Sequence, residues 1–330
     1  MNAFEKHTLN DLQGLSWVHR FGWLRTLELG KLLWPGTAAE SATRQANRLA
    51  KSWAKRGLVL ERELPDGAGR ALVLATAGVT LLAAHDVKAT TGKDIGKLIT
   101  GKWYPPKTWR HDLLAAGLLV ELHRQGWTVF PEREIRQGGW LVKIPDGIAV
   151  AGKEVLSLEV ERAHKTGAEG RKLTDALCAV GAGEAGEVLG HKPTIALVAY
   201  NPAARDSRGC ALDHRGRIRS AVAAATKKPV FVIWAACELR GTAGLGDVKF
   251  ERETIEPDLV AGVLKFLQWR PHPEKTGVFV ANYSEHFAAV WEDEYGNGWR
   301  AEVDDMPAGY YAENISAAKY ECAAHIAALL

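Results

Sequence analysis

Three acidic residues offer the most specific chemistry in this chain. They are Asp146, in Lys143-Ile-Pro-Asp146-Gly, and the pair Glu159 and Glu161, in Leu158-Glu-Val-Glu-Arg162. On a β-strand, residues two apart point to one face, so Glu159 and Glu161 project together while Leu156, Leu158 and Val160 turn to the opposite core. A short Gly-containing hairpin would bring Asp146 to them at one end of a sheet. Three converging carboxylates form a hard oxygen set suited to Mg²⁺ or Mn²⁺. Such an ion lowers the pKa of a bound water and stabilises charge developing on a phosphodiester. A plainer reading stays open, because Pro-Asp-Gly is a common turn and acid–apolar alternation describes any half-exposed strand.

The elements that would position these acids follow a recognisable order. A helix over 108–125 leads into strands over 127–135, 140–150 and 155–161. A small-residue helix over 168–188, a strand over 193–200, a helix over 216–226 and an apolar strand over 229–234 come next. The early strands look like hairpin neighbours and the later ones alternate with helices, which predicts a mixed sheet in a core spanning 108–270.

Ahead of that core, residues 1–85 parse as three helices, a hairpin and a helix. Thr37-Ala-Ala-Glu40 has the form of a capping box. In the helix it would open, Ala46, Leu49, Ala50 and Trp53 share one face while Arg44, Arg48, Lys51 and Lys55 share another. Gly57 ends the helix. Two extended runs, 58–64 and 70–74, then flank the turn Pro65-Asp-Gly-Ala-Gly69. Three helices and a two-stranded wing make a winged helix-turn-helix, which would lay the basic stripe against DNA. A solvated helix face or a protein-binding module would show the same stripe. Residues 86–107, with their Tyr-Pro-Pro break, read as a linker. A second basic segment, Arg205, Arg208, Arg215, Arg217 and Arg219, would clamp a phosphate backbone or simply be solvated.

Composition narrows the function classes. Residues 1–85 carry 11 Lys and Arg against 7 Asp and Glu, and residues 86–270 carry 28 against 22, whereas residues 271–330 carry 3 against 10. Most of the chain can therefore approach a polyanion and its end would be repelled. Residues 271–330 read as a small acidic ββα unit, with extended runs at 287–294 and 298–303 and a helix over 314–329, suited to a protein partner. Four scattered cysteines, no signal-peptide pattern and no apolar run of ~20 residues point to a cytoplasmic protein that spans no membrane. Gly181-Ala-Gly-Glu-Ala-Gly186 matches a dinucleotide fingerprint, but Leu177–Val180 before it reads as helix, so close packing explains it better. No His-x-His pair, nucleophile elbow or Walker loop is present, and Tyr310 and Tyr311 read as packing residues.

Several blocks together resemble a known family. His111-Asp112-Leu-Leu through Glu121, Pro131-Glu-Arg-Glu134, Ile144-Pro-Asp146-Gly and Leu158-Glu-Val-Glu-Arg162 are similar to the plasmid replication-relaxation family. They also resemble the related C-class mobilisation relaxases, built on the PD-(D/E)XK restriction-endonuclease-like fold. Leu74-Ala-Thr-Ala-Gly78 matches the family's wing end, and the resemblance covers residues 10–200. It implies an N-terminal winged helix and a restriction-endonuclease-like core with a mixed sheet, which with the ββα unit read from the pattern above makes an α+β protein. It further implies metal-dependent, site-directed nicking of double- or single-stranded DNA at a plasmid or integrative-element origin. Asp146, Glu159 and Glu161 would be the metal ligands, and His111 and Glu121 would join them as catalytic groups. At 100° per residue, Glu121 lies about 80° round the helix from His111. The motif's lysine is replaced by Glu161, leaving Lys143, Lys172 or Arg162 to supply the cation. A DNA-binding plasmid regulator that keeps the nuclease fold as a scaffold is the alternative, and a protein-interaction module is a third.

Overall fold

In a computed structural model the chain is described over residues 3–330, apart from 93–95, 101, 138–142, 163–166, 207, 241–243, 294–297 and 310. The N-terminal elements are α1 (Ala3–Phe21), β1 (Trp23–Arg25), α2 (Thr26–Leu33), α3 (Ala39–Lys55), β2 (Val59–Glu63), β3 (Arg70–Leu74) and α4 (Thr76–Ala83). The three strands form an antiparallel sheet in the order β1-β3-β2. Apolar spacing drives α3: Ala42, Ala46, Leu49, Ala50 and Trp53 are buried, and Arg44, Arg48, Lys51 and Lys55 stay exposed on the other side. Its start corrects the capping-box expectation. Thr37 belongs to the preceding turn, its N–H donating to Trp34 O, and Ala38 occupies the cap position without a side-chain bond. Its end follows the expected glycine. Gly57 adopts φ +67°, so its N–H reaches Ala54 O and that of Leu58 reaches Trp53 O, satisfying the last carbonyls. Gly30 lets α2 lie directly on α3, since an added Cβ would sit 2.8 Å from the Ala42 carbonyl.

The stretch expected as a linker carries a small antiparallel hairpin, β4 (Lys97–Ile99) with β5 (Lys102–Tyr104). There follow α5 (Trp109–Arg124), β6 (Thr128–Pro131), α6 (Glu132–Gln137), β7 (Gly147–Ala151), β8 (Glu154–Glu161), α7 (Gly167–Ala182), β9 (Ile195–Tyr200), α8 (His214–Ala223) and β10 (Val230–Ala236). The segment ends with β11 (Leu239–Arg240), β12 (Gly244–Leu245) and β13 (Lys249–Ile255). Six strands form one sheet in the order β13-β10-β9-β8-β7-β6. Strand β8 pairs antiparallel with β7 and parallel with β9, so the sheet is mixed, as the pattern of hairpins and crossovers predicts. The first strand is shorter than expected. Pro131 lacks a ladder donor, and the acids at 132 and 134 favour a helical first turn, so 132–137 coil into α6. Residues 140–142 of the expected second strand fall outside the described residues.

Helix α5 is apolar nearly all round, the signature of a helix covered on two sides. Leu114, Ala115, Leu118, Leu119 and Leu122 pack with Leu156, Leu158 and Val160 of β8 and with residues of β7, β9 and β10. Ala116 and Val120 join Leu15, Val18, Leu29 and Trp53 in the core beneath the N-terminal helices. The N-terminal elements and the sheet are thus parts of one packed body.

The chain divides into two compact units. The first comprises Met1–Thr166, Gly183–His214 and Phe231–Glu253; the second comprises Gly167–Ala182, Arg215–Val230 and Thr254–Leu330. The second unit holds α9 (Leu259–Phe266), β14 (Arg270–Pro271), β15 (Val278–Tyr283), β16 (His286–Glu292), β17 (Trp299–Val303), β18 (Met306–Pro307) and α10 (Ile315–Leu329). Its five strands pair antiparallel in sequence order, so the expected ββα is enlarged by β14, β15 and β18. Asn314 caps α10 by accepting from Ala317 N–H. Val263 and Leu267 share the core with Ala288, Val290, Cys322 and Ile326, so residues 271–330 do not close a core alone.

A buried ion pair braces the N-terminal sheet. Arg25, 2% exposed, meets Glu28 at both carboxylate oxygens, and its Nη1 donates to Ala68 O in the hairpin turn. Glu28→Gln leaves an enclosed guanidinium without its anion, and the expected loss is about 3–5 kcal/mol. The double change Arg25→Met with Glu28→Leu should cost less than either single one. Guanidinium denaturation followed by tryptophan fluorescence checks both, and a single-variant loss under ~1 kcal/mol contradicts the assignment.

Candidate functional site

The first turn of α5 and the entry to β7 meet at one end of the sheet. Because β7 begins only at Gly147, the N–H of Val160 on β8 has no strand carbonyl opposite it. The Asp146 carboxylate takes that place, Oδ2 accepting from Val160 at 2.8 Å, while Asp146 N–H donates to Leu158 O. Oδ2 also lies 3.2 Å from His111 Nε2, and the other ring nitrogen, Nδ1, lies 3.6 Å from Asp112 Oδ1. Burial works against a charged His111, but the carboxylates of Asp112 and Asp146 outweigh it and raise the imidazole to about 9. Burial likewise opposes ionisation of Asp146. His111, the Val160 N–H and the charge of Lys143 prevail and hold the carboxyl below its usual range.

Glu159 and Glu161 share a strand face, as alternation requires, but that face is closed to solvent. They are 3% and 0% exposed, beside Ser157, and the Leu158 and Val160 face packs under α5. The half-exposed strand is therefore ruled out. Lys143 Nζ donates to Glu159 Oε2. Of the three cations considered for the missing motif lysine, Lys143 alone is placed by a described contact against one of these acids. Lys172 pairs with Glu169 on α7, and Arg162 stands exposed past the end of β8.

The expected triad is not gathered. Asp146 reaches toward α5, on the Leu158 side of the sheet, while Glu159 and Glu161 lie on the other side. Among the described residues no three His, Cys, Asp or Glu side chains are placed to hold a metal ion. The oxygen donors suit Mg²⁺ or Mn²⁺ by type, and two of them are engaged otherwise here, Asp146 by His111 and the Val160 N–H and Glu159 by Lys143. Glu121 is not brought to His111 either. Ten residues at ~1.5 Å rise put it about 15 Å along the helix, where it bonds Arg124 and Gln125. Arg215, Arg217 and Arg219 lie on α8 in the second unit. At ~100° per residue Arg217 points away from the other two, so they do not form one clamp. Gly181 follows the packing reading, since an added Cβ would meet Val230 Cγ2 at 2.6 Å.

The structure adds groups that spacing did not single out. His111, Asp112 and Asp146 line a cavity of about 260 Å³ together with Glu132, Arg133 and Arg136 of α6, and Phe21, Trp23, Ala115, Ala116 and Leu119 form its apolar wall. Arg136 pairs with Glu132 one turn earlier. Arg133 is held by the segment after α4, its Nη2 donating to Thr90 Oγ1 at 2.7 Å and Thr91 O at 2.6 Å. Arg133-x-x-Arg136 is the only sequence trace of this wall, and it marks a shared helix face only once 132–137 is known to be helical. Comparison of the chain with protein-family models, curated proteins and solved structures finds no match.

Proton linkage tests the His111 cluster. With a pKa of 6.5 when exposed and about 9 here, His111 contributes its full stabilisation below pH 6.5 and loses it as pH rises through 9. Stability should fall by up to about 3 kcal/mol across that window. His111→Asn should flatten the slope between pH 6.5 and 9.5 in thermal or denaturant unfolding. A wild-type slope retained in the variant would place the titrating group elsewhere.

Proposed function

We propose that this chain binds duplex DNA through α3, as a site-directed component of plasmid or integrative-element replication or mobilisation. In this proposal it uses a nuclease-like core as scaffold. The observation that carries the reading is the face of α3: Arg44, Arg48, Lys51 and Lys55 stand exposed along it, backed by a face buried to Trp53. The order α1-β1-α2-α3-β2-β3 is that of a winged helix, in which such a helix enters the major groove and the hairpin flanks it. Phosphate contacts by these four cations supply affinity, and the side chains nearest the groove floor read base edges. The core order α5-β6-β7-β8-α7-β9, with Asp146 entering β7 and Glu159 on β8, supports the nuclease-like description. The opposed faces of its carboxylates favour the scaffold role.

Metal-dependent nicking is the second reading, and one observation favours it: Lys143 contacts Glu159 and bears electrostatically on Asp146, so two acids and a cation share one end of the sheet. Incubation with supercoiled plasmid and Mn²⁺ distinguishes the two. Intact plasmid is the result expected of a scaffold, whereas nicks lost on Asp146→Asn and Glu159→Gln would replace it with the enzymatic reading.

Replacing Arg44, Arg48, Lys51 and Lys55 with Gln should weaken binding to a mixed-sequence duplex. The slope of log affinity against log salt should fall by up to about 3–4, at ~0.9 per lost phosphate contact. Fluorescence anisotropy between 50 and 200 mM salt measures both. An unchanged slope in a folded variant would move the DNA contact off α3.

A further inference from the structure

The cavity beside His111 contains a cation that no carboxylate balances among the described residues. Glu132 is taken by Arg136, and Asp112 and Asp146 flank His111. Arg133 differs. Its Nη2 bonds only neutral oxygens, those of Thr90 and Thr91, and its Nη1 is enclosed without a hydrogen-bond partner among the described residues. Enclosure of an unsatisfied charged donor is costly, and burial pulls the guanidinium pKa down. The same contacts that leave Nη1 unmet hold the planar group in one orientation, as a receptor for an anion is held.

We propose that this cavity binds a phosphate group, carried by a nucleotide or by the end of a nucleic-acid strand, with Arg133 as its chief donor. A phosphate fits better than a carboxylate. Its several oxygens can engage Arg133 and Arg136 together, three residues apart on one helix face, with the imidazolium of His111 in the same cavity. The wall of Phe21, Ala115, Ala116 and Leu119 leaves apolar surface for the sugar or base beyond the phosphate. A space of about 260 Å³ admits a single nucleotide moiety and excludes a duplex. The inference is independent of α3, whose exposed cations are not part of this cavity.

Calorimetric titration at constant ionic strength, with chloride as reference, provides the test. Inorganic phosphate and deoxyadenosine 5′-monophosphate should bind, and deoxyadenosine should not. Arg133→Gln should lower phosphate affinity at least tenfold, and the four-residue α3 variant should bind the mononucleotide as wild type does. A mononucleotide that binds more tightly than a 5′-phosphorylated single strand assigns the site to a free nucleotide. Preference for the 5′-phosphorylated strand over its 5′-hydroxyl form assigns it to a strand end. Should Arg133→Gln not fold, Arg136→Gln at the exposed end of the pair should still weaken phosphate binding several-fold. Failure of folded wild type to distinguish phosphate from chloride, or undiminished binding by a folded Arg133→Gln or Arg136→Gln, would overturn the proposal.

Discussion

A helix with no free side imposes its position on everything it touches, and α5 is such a helix. Leu114, Leu118 and Leu119 are committed to the sheet, and Ala116 and Val120 to the core under the N-terminal helices. Dense packing on both flanks tolerates little rotation or sliding. The first turn of α5 therefore stands in one place relative to β7 and β8, and His111 and Asp112 stand with it. The cation-bearing helix α3 buries Ala46, Leu49 and Trp53 in the same core as Ala116. One apolar helix thus anchors both the basic face and the polar end of the sheet.

Charge at that end of the sheet is arranged by where a strand stops. A β7 extended by a few residues before Gly147 would have met the Val160 N–H with a backbone carbonyl and left Asp146 free to follow strand alternation. Because the strand starts at Gly147, the carboxylate substitutes for the carbonyl and is drawn toward α5. The two glutamates of β8 remain on the other face, where Lys143 offsets Glu159. Asp146 has gained His111 and the Val160 N–H, and Glu159 has gained Lys143, as enclosure in a low-dielectric setting demands.

Periodicity made some of this visible in the sequence. The buried and exposed faces of α3, its end at Gly57, the hairpin after it and the alternation in β8 all rest on neighbours within a few residues. The bounds of α5 and α10 fall within a residue or two of expectation for the same reason. What escaped depends on remote partners. The strand Lys249–Ile255 has little apolar alternation and is a strand because it lies against β10. Two-residue strands such as β14 and β18 exist only through pairing. Residues 132–135 were expected to extend a strand because their mixed polarity fits either state. In the site, the shared face of Glu159 and Glu161 was legible, but its burial was not. Asp146 escaped alternation by lying just outside the strand, and Arg133 meets Thr90 across 43 residues with no spacing rule to announce it.

The interleaving of the two units has a consequence for biosynthesis. Every residue of the first unit has been made once Glu253 is joined, whereas the second draws on stretches at 167–182 and 215–230 whose remaining partners lie beyond 254. At roughly 5–20 residues per second, the interval between residue 182 and residue 330 lasts about 7–30 s, and throughout it the stretch 167–182 is ahead of the rest of its own unit. An interruption late in translation therefore leaves stretches made early without the remainder of their unit.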